Sequence, residues 1–274
     1  MKKILLSICA AAFMIMPASA ATWVAADRVA PVGEVMVKKN NLPAALTFKV
    51  VNGAADNSAT HTTNIVQISS TDLTYAGNDN EVAAVIGTEL GQIINGKASK
   101  DKLRKAAKQA LKEKLSENNI INTAANSEFV ANTATLNDLK LADMTSVDLM
   151  INAGYNPLAL VVTITKMPGS NIEIALGKPS NCERAMNAYN YITYNYSDKV
   201  KAGYNCQEYR NFLTYANPIV EKRTSNKRLL KRYNKEQEKI KRERAKSLNQ
   251  YKMSGGMSGW EATYTILNEL SNTK

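Results

Sequence analysis

The sequence predicts an α+β fold, mainly helical, with a small antiparallel sheet and a basic helical extension at the C-terminal end. Three observations carry that expectation. Two neighbouring segments alternate apolar and polar residues at period two, the mark of strands with one wet face. Residues 80–96 form a helical run with almost no charge inside it, so that helix is expected to be buried. Residues 221–246 carry twelve Lys or Arg against four Glu, the composition of a solvated basic helix.

The chain opens with Lys2 and Lys3, an apolar run from Ile4 to Met16, and small residues at Pro17-Ala18-Ser19-Ala20. This pattern reads as a secretory signal peptide with its cut after Ala20, and the product is expected in the periplasm or secreted. Cys9 lies inside the apolar run, away from the cleavage point, which argues against a lipoprotein. No later stretch approaches the ~20 apolar residues of a spanning helix, so no transmembrane segment is expected. Without the two leader lysines, 33 cations face 24 carboxylates and the net charge is +9. The remaining length suits one large domain with an appendage, divided here as a signal peptide (1–20), a main domain (21–215) and a basic helical extension (216–274).

Residues 21–45 read as a lead-in interrupted by Pro31, Pro43 and the polar Lys38-Lys39-Asn40-Asn41. Leu46 to Asn52 and Asn64 to Ser70 are the two strands, expected to pair as antiparallel neighbours across the small, polar loop Gly53–Thr63. The central helix begins with Asn78 and Glu81 as a capping box and is expected to stop at Gly96. Residues 99–115 form a basic amphipathic helix whose inward stripe is Leu103, Ala107, Ala110, Leu111 and Leu115. Helices follow over Asn137 to Ala153, stopped by Gly154 and Pro157, and over Leu158 to Lys166. Residues 180–215 are helical in pattern and heavy in tyrosine. Near the end, Ser258 and Glu261 form a second capping box, and Trp260, Tyr264, Leu267 and Leu270 make one apolar stripe.

The central helix, Asn80-Glu81-Val82-Ala83-Ala84-Val85-Ile86-Gly87-Thr88-Glu89-Leu90-Gly91-Gln92, resembles the active-site helix of the HtpX, CAAX-prenyl-protease and BepA-type zinc metallopeptidases, family forty-eight of the metallopeptidases. In that family the helix carries His-Glu-x-x-His, whose imidazoles hold zinc while the glutamate activates its water. Thr88 and Gln92 stand in the histidine positions, and only Glu89 remains. The family's third ligand, a glutamate in Glu-x-x-Ala-Asp, is matched by Leu139 in Leu139-Lys140-Leu141-Ala142-Asp143, and Ala153-Gly154-Tyr155-Asn156-Pro157 resembles the family's Ala-Gly-Tyr-Asp-Pro. Gly177-Lys178-Pro179-Ser180-Asn181-Cys182-Glu183-Arg184 resembles its His-Pro-Ser stretch, with Lys178 in the histidine's place. The resemblance covers roughly residues 25–195 and implies a zincin-like domain stripped of all three zinc ligands.

No metal or other cofactor is therefore expected. A hydroxyl, an amide and a hydrocarbon do not offer the electron-rich donors that zinc requires. Glu89 is the one candidate catalytic residue, a vestigial one: without a metal its water keeps a bulk-like pKa. Its carboxyl is expected to be protonated or to bond a neighbour such as Thr88 or Gln92, and Asp143 to serve as a local acceptor. His61, the single histidine, sits in a polar loop and reads as solvated; no Gly-x-Ser-x-Gly elbow accompanies it.

Cys182 and Cys206 read either as a disulfide suited to an oxidising compartment or as two free thiols. The tyrosines of 189–204 read as core contacts rather than a stacking platform. The basic run reads either as a helix kept soluble by its charge or as an attachment face for an anionic envelope surface; the expected compartment argues against nucleic acid. The leading expectation is an exported pseudopeptidase that binds an envelope protein or serves as a scaffold. An active metalloendopeptidase of envelope protein quality control and a basic protein attaching to anionic envelope surfaces are the alternatives.

Overall fold

The computed structural model describes residues 23–40, 42–57, 59–95, 139–167 and 181–253. Gly96, the helix expected over 99–115, Lys178, the signal peptide and the stripe of Trp260, Tyr264, Leu267 and Leu270 lie outside the described residues. The described part is mostly helical with one two-stranded sheet, in line with the α+β class.

Helix α1 (Ala25–Lys39) occupies the stretch expected to be a lead-in. Pro31 lies inside it, and a proline there removes one backbone donor and discourages a helix reading. Val29, Val32, Met36 and Val37 recur at helical spacing and are buried, so tertiary packing outweighs the proline. Strand β1 (Thr47–Val51) and strand β2 (Ile65–Ser69) then pair in parallel, Thr47 opposite Ile65 and Val51 opposite Ser69. The expected antiparallel pairing is thus overturned. A parallel pair needs a connection of about a dozen residues to carry the chain back to the same end. Residues 52–64 supply it through the one-turn helix α2 (Thr60–Thr63), which ends at Asn64 in the left-handed region, φ 56°. Asn64 then accepts the amide of Thr47 at 2.9 Å, setting the start of β2 beside the start of β1.

A short helix α3 (Ser70–Leu73) leads to the central helix α4 (Asp79–Ile94). The Asn78 side chain accepts from the amides of Asn80 and Glu81, one half of the expected capping box; the Glu81 carboxylate reaches the Gly77 amide in place of that of Asn78. The Glu81 carboxylate, 2 % exposed, is satisfied by the Gly77 amide and the Lys166 ammonium, both at 2.7 Å, and by the Tyr204 hydroxyl at 3.1 Å. Val82, Ile86, Leu90 and Ile93 are sealed in the core, each worth about 1.5–3 kcal/mol of burial.

Helix α5 (139–153) packs against α4 at very short range. A Cβ built on Gly91 would fall 2.3 Å from the Ala142 carbonyl oxygen, and one on Gly87 2.4 Å from Ser146 Oγ. Helix α5 closes with a Schellman pair, Tyr155 N–H to Met150 O at 2.9 Å and Gly154 N–H to Ile151 O at 3.1 Å, with Gly154 at φ +85°. Helix α6 (Leu158–Lys166) has the expected bounds and is buried from Leu158 to Ile164. Helix α7 (Asn181–Asn195), a 3-10 turn (Ser197–Val200) and helix α8 (Gln207–Ser225) complete the tyrosine-rich part, α8 running through residues 215 and 216 with Ala216 buried. Helix α9 (Lys227–Met253) carries the basic run and is capped by Asn226, whose side chain accepts from the amides of Arg228 and Leu229.

Candidate functional site

Glu89 lies on the flank of α4 that faces the loop between β1 and β2. Its Oε1 accepts Gln92 Nε2 at 3.2 Å and its Oε2 accepts Asn57 Nδ2 at 2.8 Å. The first bond follows from the helix itself, since residues three apart share a face. The second comes from a residue on which the sequence analysis placed no role. Asn57 Oδ1 takes the Gln67 amide at 2.7 Å, and its Nδ2 returns a bond to the Gln67 carbonyl at 3.0 Å. That carboxamide therefore occupies both backbone groups of Gln67, as a residue of a third strand would. It is 5 % exposed and also accepts the Thr60 hydroxyl at 3.3 Å.

Thr88 is turned away from this network. Its hydroxyl donates to Ala84 O, one helical turn back, at 3.0 Å. Of the two neighbours expected to bond Glu89, Gln92 is the one that does so. Leu139 stands at the start of the described part of α5, half-buried. His61 lies in α2.

Asp143 and Arg184 form the second half of the site. The Arg184 guanidinium grips Asp143 in a fork, Nε to Oδ2 at 2.7 Å and Nη2 to Oδ1 at 2.6 Å, with side chains 17 % and 4 % exposed. Burial by itself lowers the pKa of Arg184; the Asp143 charge and hydrogen bonds, with the fields of Asp72 and Glu89, overturn this and raise it. Burial raises the pKa of Asp72, opposed by the Arg184 charge. Three carboxylates thus act on one buried cation, and Asp143 is the local acceptor that the sequence analysis expected. Asp72 carried no signal: it sits in the short helix α3, and its charge is brought near Arg184 only by the tertiary fold.

The donor set does not fit zinc. Thr88 spends its hydroxyl on its own backbone, Gln92 presents an amide N–H to Glu89, and Leu139 has no donor atom. Among the described residues no group of three His, Cys, Asp or Glu is placed to hold a metal ion.

The thiols resolve in favour of the second alternative. Cys182 is exposed on α7, and Cys206 caps α8 by accepting the Tyr209 amide at 3.3 Å; both are free, so the disulfide is not formed. Burial raises the pKa of Cys206, which makes it a poor nucleophile. No helix among the described residues is long and apolar enough to cross a membrane.

No family model, curated protein or solved structure matches the chain. The site's chemistry therefore has to be read from its own residues. It holds a carboxylate bonded by two side-chain amides and, within reach of its charge, a guanidinium–carboxylate fork.

Proposed function

We propose that this chain is a non-catalytic, exported relative of the family forty-eight zinc metallopeptidases, working as a binding or scaffold protein of the bacterial cell envelope. The observation that carries the reading is the state of Glu89. A general base in a metallopeptidase presents its carboxylate to a metal-bound water. Glu89 instead has one oxygen bonded to Asn57 and the other to Gln92, and its charge acts on Arg184 of the Asp143–Arg184 fork. Two local features are compatible with the reading: Asn78 caps the helix, and Gly91 brings α5 against it at Ala142.

The binding surface of this reading is the flank of α4 around Gln92 with the loop that bears Asn57, and the partner is an envelope protein. Metal analysis of the purified chain, with a casein cleavage assay run with and without chelator, tests it. Substoichiometric metal and no chelator-sensitive cleavage are expected. A stoichiometric transition metal or EDTA-sensitive hydrolysis overturns the reading and returns the chain to the active peptidases. Site-specific photo-crosslinkers at Gln92 and at the distant Lys199 supply the binding arm: a partner trapped at Gln92 alone is expected.

A further inference from the structure

Helix α9 is not a freely solvated rod. One face is fastened to the body. Tyr233 donates to the Asn190 carbonyl at 3.2 Å, Tyr194 donates to Glu238 at 2.8 Å, and Gln237 is buried. The opposite face carries Arg228, Arg232, Lys235, Lys239 and Arg242, spaced three or four residues apart and all exposed. At 1.5 Å per residue this cationic stripe extends about 21 Å. Lys239 meets Glu243 at 3.5 Å, an exposed pair that neutralises little. Among the described residues, no carboxylate forms a salt bridge with Arg228, Arg232 or Lys235.

A groove of about 370 Å3 opens between α8 and α9 beside the N-terminal end of the stripe. Ile219, Leu229 and Tyr233 give it apolar walls, and Ile219 is 39 % exposed, a large aliphatic side chain in water. Lys222, Arg223 and Arg232 bring positive charge to the same groove against one carboxylate, Glu236. The Arg223 guanidinium lies 3.7 Å from the Tyr233 ring centre and bonds the Asn190 side chain, so its charge is held in place without a carboxylate partner. Tyr215, 41 % exposed, extends the apolar surface along α8.

Apolar walls with a cationic rim, continued into a straight line of exposed cations, match an interface that is apolar on one side and anionic on the other. We propose that the α8–α9 hairpin is a docking face for the anionic phospholipid surface, the groove receiving a phosphate headgroup with its first methylenes and the stripe lying along neighbouring headgroups. This does not depend on the reading of the Glu89 cleft. A rigid helix with its cations on one side suits a plane of charge. The exposed Ile219 has no role in a purely electrostatic duplex-binding surface.

The test is vesicle co-sedimentation of the full chain, comparing phosphatidylglycerol-containing with pure phosphatidylcholine vesicles. Neutral vesicles report any contribution from apolar segments alone. Binding should appear with the anionic lipid and weaken as salt rises. The triple variant Arg232→Gln, Lys235→Gln, Lys239→Gln should lose about a hundredfold in affinity, since each cation near such a surface contributes roughly equally. Neutralising Lys199 and Lys201, exposed on the 3-10 turn and just after it, should change little. Ile219→Ser should weaken binding severalfold while leaving its salt dependence intact. Equal binding to neutral vesicles, an unaffected triple variant, or full displacement by millimolar inorganic phosphate overturns the proposal. So does tight binding to duplex DNA with none to anionic vesicles.

Discussion

Asn57 Nδ2 lies 2.8 Å from Glu89 Oε2 while the same carboxamide pairs with both backbone groups of Gln67. One side chain thus joins the outer edge of β2 to the one acidic group that the central helix retains on this flank. Both protons of the amide are used, and its oxygen takes the Gln67 amide, with the Thr60 hydroxyl, whose shorter bond goes to the Ile65 carbonyl, 3.3 Å away.

Replacing Asn57 by Ala leaves the Gln67 amide and carbonyl without their edge partner and takes one donor from Glu89. A loss of about 1–3 kcal/mol is expected, read as a lower melting temperature. Asn57→Asp should be worse at neutral pH, because a carboxylate then faces Glu89, and should recover in part as pH falls through the carboxylate range. Equal melting of Asn57→Asp at pH 4 and pH 7 would contradict the contact.

The two glycines of α4 differ in what they face. At Gly91 the obstacle is the Ala142 backbone carbonyl, which cannot move without the helix; at Gly87 it is the Ser146 hydroxyl, which can rotate. Gly91→Ala is expected to cost about 1–3 kcal/mol or more and Gly87→Ala less. Adding Ser146→Ala should relieve Gly87→Ala and leave Gly91→Ala unchanged. Denaturant melts of the four variants check the ordering.

The Asp143–Arg184 fork gives a third expectation. Removing either partner strands a buried charge, so Asp143→Asn and Arg184→Met should each destabilise by about 3–5 kcal/mol. The double variant should lose clearly less than their sum. Additive losses in a double-mutant cycle would mean that the fork contributes little.

Alkaline pH probes the tyrosine layer. Burial, followed by the hydrogen bond to Glu238 and its charge, pushes Tyr194 up to about 12, and burial raises Tyr204 and Tyr209 as well. A folded pKa above the unfolded value near 10 favours the neutral phenol, so this stability is whole below pH ~10 and drains away as pH rises towards 12. Ultraviolet titration should show these phenols ionising late, and melting temperature should fall over the same interval. Ionisation of all the phenols together near pH 10 in the folded state would contradict it.

Much of the helical framework was legible because it rests on local rules. The Asn78 cap, the Gly154 stop and the uncharged interior of α4 each have a short-range cause, and the close helix contact at Gly91 follows from a missing Cβ. What escaped the sequence was set by distant partners. Pro31 masked α1, whose stripe forms only by packing on α4 and β1. Two alternating segments do not state their relative direction, and here Asn57 and the α2 turn reverse the chain to make them parallel. Asn57 itself is one asparagine in a loop rich in small polar residues. Its partners Gln67 and Glu89 are ten and thirty-two positions away.

The most direct measurement concerns the site that the central reading describes as stripped of its ligands. The triple variant Thr88→His, Gln92→His, Leu139→Glu should bind one zinc per chain that survives gel filtration, while the unaltered protein should carry none. A folded variant that takes up no zinc would show that α4 and α5 do not frame a metallopeptidase-like site. Stoichiometric zinc in the unaltered protein would show that the site was never silent.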